Sequence, residues 1–462
     1  MKIIITEPTD KENTKSVGCW FIESAVKKAG HNIEYIEYEN IKNTDADIYL
    51  FSVHHVKDIF YLAKLFKYKK GIWIGGGHVM NNPYPFLHFF DLICVGEGET
   101  WIVEVLNILS KGGSITDTLS IQGSLSLENI NQVIKKRYES DISANDKYLN
   151  ISFAEKHKDT WYMEIARGCK SKCYYCELGW TNKYRENRLE KIKKDIDEIA
   201  MNCNIKRVNI FAPDDYSASF YDEVIDEINN KKLITNFGSM RVDRLSAMNR
   251  KQKKNFLFRM GIDGTSERIR TIVNKKTRNE DIEKLFSEMT RQGYVMFKYF
   301  FIFSYPFETI SDFNEFIYLM KQLKNIVKNN EVPVFLRLKF TPLIPNLYTP
   351  FEDFKPFYNK AMRENIELFF LREKQNRSNI VFINDGIMEY YSYYTQAFLS
   401  RAKYEEVNID LLLNKKKLNF MSDKLAQKTE PNRKIEMYIT AHQLDLAKNK
   451  LKRRINELQN HI

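Results

Sequence analysis

Cysteine is scarce in this chain, with six in 462 residues. That excludes a disulfide-stapled framework and suits a reducing compartment. Histidine is absent between His157 and His442. Apolar runs are short, none approaching the roughly 20 residues of a membrane span. The opening Met1-Lys-Ile-Ile-Ile-Thr lacks the basic region, apolar stretch and cleavage site of a secretory leader, so a cytoplasmic location is expected. Internal repeats and long low-complexity tracts are also missing. Apolar residues are plentiful at 43%, enough for sizeable cores in two or three domains. The net charge of +11 admits an anionic partner such as nucleic acid or nucleotide. Much of the excess lysine also reads as ordinary solvated helix surface.

A first domain is expected over residues 1–140, and within it roughly the first 110 residues alternate strand and helix signals. Strands are expected at Lys2–Thr6, Asn32–Tyr38, Asp47–Val53, Gly71–Ile74 and Asp91–Val95, with helices between them. That alternation predicts a parallel, doubly wound sheet. The stretch 111–157, rich in Gly, Ser and Asn, reads as a surface linker with weak strands. A second α/β series covers 155–355, with strands expected at Trp161–Ile165, Arg207–Phe211, Leu233–Phe237, Phe256–Ile262, Val295–Ile302 and Val334–Phe340. Six such units fit a partial (β/α)6 barrel, whose chemistry belongs at the carboxyl ends of its strands. Residues 356–462 read as a helical C-terminal region. Within it, Tyr390, Tyr391, Tyr393 and Tyr394 suit either helix packing or stacking of a planar substrate.

Three of the six cysteines are clustered, in Arg167-Gly168-Cys169-Lys-Ser-Lys-Cys173-Tyr-Tyr-Cys176. The spacing is C-x₃-C-x₂-C, directly after the first strand of the second series. Three thiolates can hold three irons of a [4Fe–4S] cluster and leave the fourth open. A structural zinc site would want a fourth Cys or His nearby, and none is present. Arg167, Lys170 and Lys172 supply positive charge that favours thiolates. Tyr175 is placed to pack over a cofactor. Cys94 and Cys203 read as small core residues.

This motif resembles that of the radical S-adenosylmethionine (SAM) superfamily. The resemblance extends over Gly75-Gly76-Gly77-His78, Gly96-Glu97-Gly98-Glu99, Gly261-Ile-Asp263-Gly264-Thr-Ser-Glu267, Lys298–Pro306 and Phe340–Phe351. In order, these segments are similar to the cobalamin-binding branch of that superfamily. The resemblance implies a Rossmann-like, cobalamin-binding-type N-terminal domain. It also implies a [4Fe–4S] cluster on Cys169, Cys173 and Cys176, with SAM on its open iron. A carboxylate, Asp214 or Asp215, would take the SAM ammonium, unless it caps the following helix. Ser239 and Arg241 follow the third strand. Arg241 would pair with the SAM carboxylate, or form an ordinary ion pair. Asp263 stands where the family pattern has Glu and would meet the ribose. Phe303–Pro306 would lie near the adenine.

Gly75 and Gly76 form a backbone concavity suited to a phosphate or nucleotide tail; a tight strand-to-helix turn explains them equally. Ser52 fits a contact to the same tail. The sequence lacks D-x-H-x-x-G, so the usual lower axial histidine of bound cobalamin is missing, which relatives also tolerate. Cobalamin is therefore a candidate third cofactor. The expected partners are a reductase or flavodoxin-type electron donor and a small-molecule or nucleotide substrate. The reactions considered are cobalamin-dependent C-methylation, rearrangement or cyclisation with the N-terminal domain as scaffold, and nucleic-acid or nucleotide modification. A methylthiotransferase would need three N-terminal cysteines, and only Cys19 and Cys94 lie there.

Overall fold

A computed structural model describes all residues except 10–14, 145–158, 202–203, 215–216, 237–240, 243–256, 377, 432–433 and 460–462. Ser239, Asp215 and Cys203 lie outside the described residues.

Five parallel strands build the first sheet: β1 (Ile3–Thr6), β2 (Ile33–Tyr35), β3 (Ile48–Ser52), β4 (Ile72–Gly76) and β5 (Leu92–Cys94). A short antiparallel β6 (Ser124–Leu125) completes the order 2-1-3-4-5-6. Strand alternation divides the apolar residues between two faces. Ile3, Ile5, Ile48 and Leu50 pack with Val26, Trp101 and Val105 of helices Val17–Lys28 and Glu99–Ser110. Ile4, Tyr49 and Phe51 pack on the opposite face with Ile59 and Leu62 of helix Ile59–Phe66. The strand order reverses between β1 and β3, and ligands bind at such switch points beyond the carboxyl ends of strands.

The linker is more ordered than its composition predicts. It contributes β6 and then β7 (Ile134–Lys135), which pairs with a strand far along the chain.

Next come β8 (Thr160–Glu164) and a two-stranded hairpin of β9 (Ala166–Arg167) with β10 (Arg185–Glu186) that brackets the cysteine loop. Strand β11 (Arg207–Phe211) pairs in parallel with β8 and with β12 (Ile234–Asn236). A further parallel sheet holds β13 (Leu257–Gly261), β14 (Met296–Phe303), β15 (Val334–Pro342) and β16 (Ile380–Ile387). Alternate residues of β14, namely Phe297, Tyr299, Phe301 and Phe303, are buried against helix Ile310–Ile326 and its neighbours.

Strand β16 corrects the expectation that 356–462 is helical. Its Asn384-Asp385-Gly386 looks like a turn. Here Asp385 forms ion pairs with Lys298 on β14 and Arg337 on β15, so the polar residues stay in the sheet. Helices Lys360–Gln375, Tyr390–Leu399, Lys415–Lys428 and Ala441–Gln459 make up most of the remainder. The tyrosine cluster is largely packing: Tyr393 is buried, and its hydroxyl donates to Leu343 O at 2.9 Å. Strand β17 (Ile435–Glu436) pairs in parallel with β7. Among the described residues, no helix is long and apolar enough to cross a membrane.

Candidate functional site

The cysteine loop begins where β9 ends. Gly168 adopts φ +76°, and a Cβ there would stand 2.5 Å from Lys183 O, so the turn requires glycine. The loop is then fastened from several sides. Tyr174 N donates to Val273 O at 2.9 Å, and Asn274 Nδ2 donates to Lys172 O at 2.9 Å. Trp180 Nε1 donates to Cys173 O at 2.9 Å. Cys173 is buried, and Cys169 and Cys176 are partly exposed. Burial pushes the Cys169 thiol up, and burial with the charge of Cys173 pushes Cys176 up to about 12. Thiols raised in this way, as at Cys169 and Cys176, ionise more readily beside a compensating cation, which an iron–sulfur cluster would supply. Among the described residues, no group of three His, Cys, Asp or Glu is arranged for a single metal ion. A tetrahedral zinc, with Zn–S near 2.3 Å, would need its sulfurs much closer together than a multi-iron cluster does.

The positive charge around the thiols differs from the expected set. Arg167 is taken by Glu99 at 2.8 Å, Glu164 at 2.8 Å and Glu97 at 3.2 Å. Lys170 bonds Glu186 and Ser217 O, and Lys172 bonds Gly179 O and Tyr438 Oη. Arg241, from the chain after β12, instead reaches the loop and donates to Cys173 Sγ at 3.6 Å.

Opposite the loop lies Asp263, in the left-handed region at φ +62° directly after β13. Its Oδ2 accepts from Tyr175 Oη at 2.6 Å and from Lys275 Nζ at 2.7 Å, and its carbonyl accepts from Tyr305 Oη at 2.9 Å. Burial lowers the Lys275 pKa, but Asp263 and Cys173 outweigh it and leave it raised. Asn274-Lys275 belongs to the segment that carries the resemblance, but the sequence assigns Lys275 no role, because only the fold returns it to β13. Burial, followed by the Asp263 charge, holds the Tyr175 phenol well above its usual range. Asp214 is buried beyond β11, close enough for its charge to be felt at Cys169. It does not cap the next helix, Tyr221–Asn230, whose N-cap is Phe220.

A cavity of about 420 Å³ opens at the carboxyl edge of the first sheet. Ser52, Gly75, Gly76 and Gly98 line one side, and Arg167, Gly168 and Pro213 close it from the cysteine-loop side. The two glycines differ. A Cβ on Gly75 would stand 2.3 Å from the Phe90 ring, whereas one on Gly76 meets nothing closer than 3.7 Å. Packing thus accounts for Gly75, and Gly76 keeps the cavity wall low. The Ser52 hydroxyl shares His54 Nε2 at 3.2 Å with Glu7, whose carboxylate lies 2.6 Å from that nitrogen. Burial pushes His78 down to about 4.

At the seam between cavity and loop, buried Lys136 donates to Asn81 Oδ1 at 2.7 Å and to Asn182 Oδ1 at 3.2 Å. Asn81 in turn donates to Glu177 Oε2 at 3.2 Å. Burial brings Lys136 down to about 8 and raises Glu177.

Comparison with known proteins bears on this arrangement. Residues 163–320 match the radical SAM superfamily, and residues 48–133 match the N-terminal region of radical SAM proteins. An uncharacterized protein of Methanocaldococcus jannaschii is 24% identical over 360 residues, 76% of this chain and 74% of that protein. The ribosomal protein uS12 methylthiotransferase RimO of Clostridium perfringens is 24% identical over 240 residues, 44% of this chain. That alignment spans about half of RimO, 48% of its length. Among solved structures, the cobalamin-dependent SAM radical enzyme OxsB with aqua-cobalamin and SAM bound superposes with a TM-score of 0.53 at 13% identity, covering 86% of this chain and 65% of OxsB. OxsB with aqua-cobalamin alone gives 0.54 at 12% identity, over 100% of this chain and 80% of OxsB.

Proposed function

The chain belongs to the radical SAM superfamily, and from that premise we propose an enzyme that cleaves SAM reductively at a [4Fe–4S] cluster on Cys169, Cys173 and Cys176. The fastened loop with its three thiols is the observation that carries this reading. When bound, the cluster supplies one electron to SAM, giving methionine and a 5′-deoxyadenosyl radical that takes hydrogen from a substrate.

The chain's own residues position SAM. Asp214, buried near Cys169, is the acceptor proposed for its ammonium. Arg241, within reach of Cys173, is the donor proposed for its carboxylate, with Ser239 contributing from the same segment. Tyr175 and Lys275 both hold Asp263 by Oδ2, which would leave Oδ1 for the ribose hydroxyls. Tyr305, which donates to the Asp263 carbonyl, would lie near the adenine.

Cobalamin is the ligand proposed for the cavity at 1–140, with the barrel at 155–355 and the region 356–462 completing the enzyme. Strand order, the low wall at Gly76 and the fold shared with OxsB support it. Ser52 and Gly76 would meet the nucleotide tail, and Gly75 would shape the turn that presents them. The reaction proposed on this reading is C-methylation of a small-molecule or nucleotide substrate. Rearrangement or cyclisation is the second reading. It is favoured by the Glu7–His54–Ser52 hydrogen bonds, which already satisfy part of the cavity rim.

Anaerobic reconstitution with iron, sulfide and cobalamin, followed by SAM and dithionite, tests both. 5′-Deoxyadenosine with cobalt absorbance and S-adenosylhomocysteine supports methylation. 5′-Deoxyadenosine without cobalt leaves the second reading. Absence of 5′-deoxyadenosine under every reductant sinks the cluster assignment.

A further inference from the structure

We propose that the basic face of helix Ala441–Gln459, where it crosses Tyr174, is the docking surface for an acidic flavodoxin-type protein that reduces the cluster. The proposal deepens the reading above and rests on it.

The helix is seated on the outer side of the cysteine loop. Leu444 and Leu451 are buried in the same apolar cluster as Tyr174 and Trp180. The Arg454 guanidinium lies 5.5 Å over the Tyr174 ring. Its Nη1 also donates to Thr271 O at 3.0 Å and to Asn274 Oδ1 at 3.2 Å. Asn274 in turn holds the carbonyl of Lys172, one residue before Cys173. Covalent structure and hydrogen bonds therefore join this helix to a proposed cluster ligand.

Burial of Leu444, Lys448 and Leu451 leaves Lys450 and Arg453 exposed on one face of the helix, with exposed Lys452 on its flank. The other side of the loop faces the cavity, Asp263 and Asp214, where the cofactors are proposed to bind. An electron donor is thereby directed to the outer side, where positive charge steers an acidic partner into encounter. In the step itself one electron leaves the donor's two-electron-reduced flavin and enters the oxidised cluster; no bond in this chain is made or broken. A nucleic acid would also meet positive charge here. The patch is short, however, and Glu457 lies 3.4 Å from Arg453 within it, which suits a compact protein contact better than a continuous phosphate track.

The test is the triple reversal Lys450→Glu, Lys452→Glu, Arg453→Glu, with Lys415→Glu, Lys416→Glu, Lys417→Glu as a control of equal charge on another exposed helix. Flavodoxin binding to the full chain is measured by titration at low and high salt. Cluster reduction is followed spectroscopically with flavodoxin or with dithionite. The expected result is a flavodoxin Kd raised about tenfold or more at low salt in the first variant only. Cluster reduction by flavodoxin should slow in step, with the dithionite rate unchanged. A Kd within twofold of the parent, or equal weakening in the control, overturns the proposal. An RNA oligonucleotide that loses affinity in the first variant while flavodoxin does not also overturns it. If the parent makes no 5′-deoxyadenosine even with dithionite, the radical SAM reading fails, and the flavodoxin Kd still decides the surface.

Discussion

The cysteine loop and the N-terminal cavity are neighbours built on opposite plans. The loop is a short segment with one kind of donor, fastened by backbone contacts to Val273, Asn274 and Trp180. The cavity is assembled from four strand ends, lined by glycines and by charges that already satisfy one another, such as Glu97 and Glu99 on Arg167. A site made by one loop declares its chemistry in its spacing. A site made by several strand ends declares only its shape.

The sharpest way to separate the two is Cys173→Ser. It should take 5′-deoxyadenosine formation to background and lower bound iron, while any cobalamin absorbance stays. Arg167→Ala should cut both regions at once, because it leaves Glu97, Glu99 and Glu164 facing each other without their shared cation. A loss of about 3–5 kcal/mol is expected from breaking a buried ion network, read as a lower urea midpoint. An unchanged midpoint would mean that the two regions are not coupled through this residue. Gly75→Ala drives a methyl into Phe90 and should cost about 1–3 kcal/mol by overpacking. Gly76→Ala meets no such neighbour and should leave stability near the parent's; if bound cobalamin also stays unchanged, Gly76 has no place in the cavity reading. Lys275→Met frees one side of Asp263 and should raise the KM for SAM severalfold with kcat less affected.

The smallest expected effect is a pH dependence at the seam. Buried Lys136 titrates near about 8 in the folded chain, below the ordinary lysine value near 10.4. Between those values the unfolded chain binds the extra proton, so stability gains from this residue as pH rises through that window. In Lys136→Met the gain should vanish, seen as a smaller rise in urea midpoint between pH 8 and 10 than in the parent.

How much of this was legible in the sequence follows the same division. The strands β8, β11, β13, β14 and β15 were readable because each is a compact apolar run between helical periodicities. Strand β16 was not, since Asp385 belongs in a sheet only when Lys298 and Arg337 stand beside it. The grouping of the three cysteines on one loop was readable from their spacing. Arg167 was assigned to the thiols because it precedes them in the chain; two of its carboxylate partners, Glu97 and Glu99, come from one distant segment after β5, and the third is Glu164, three residues earlier on β8. Lys275 was given no role for the same reason, because its partner Asp263 sits across a helix and a turn.

The pairing of β17 with β7 has a consequence for synthesis. The segment that covers Tyr174 and ties the two halves together is made after everything it covers. Until residues 435–459 emerge, the outer side of the cysteine loop stands bare, and an assembly factor delivering iron and sulfide has an open door. Once β17 is in register and Leu444 and Leu451 are seated, that door is shut. Loading is thus expected to be faster on a nascent or truncated chain than on the finished protein, a difference that pulse-labelling with radioactive iron would resolve.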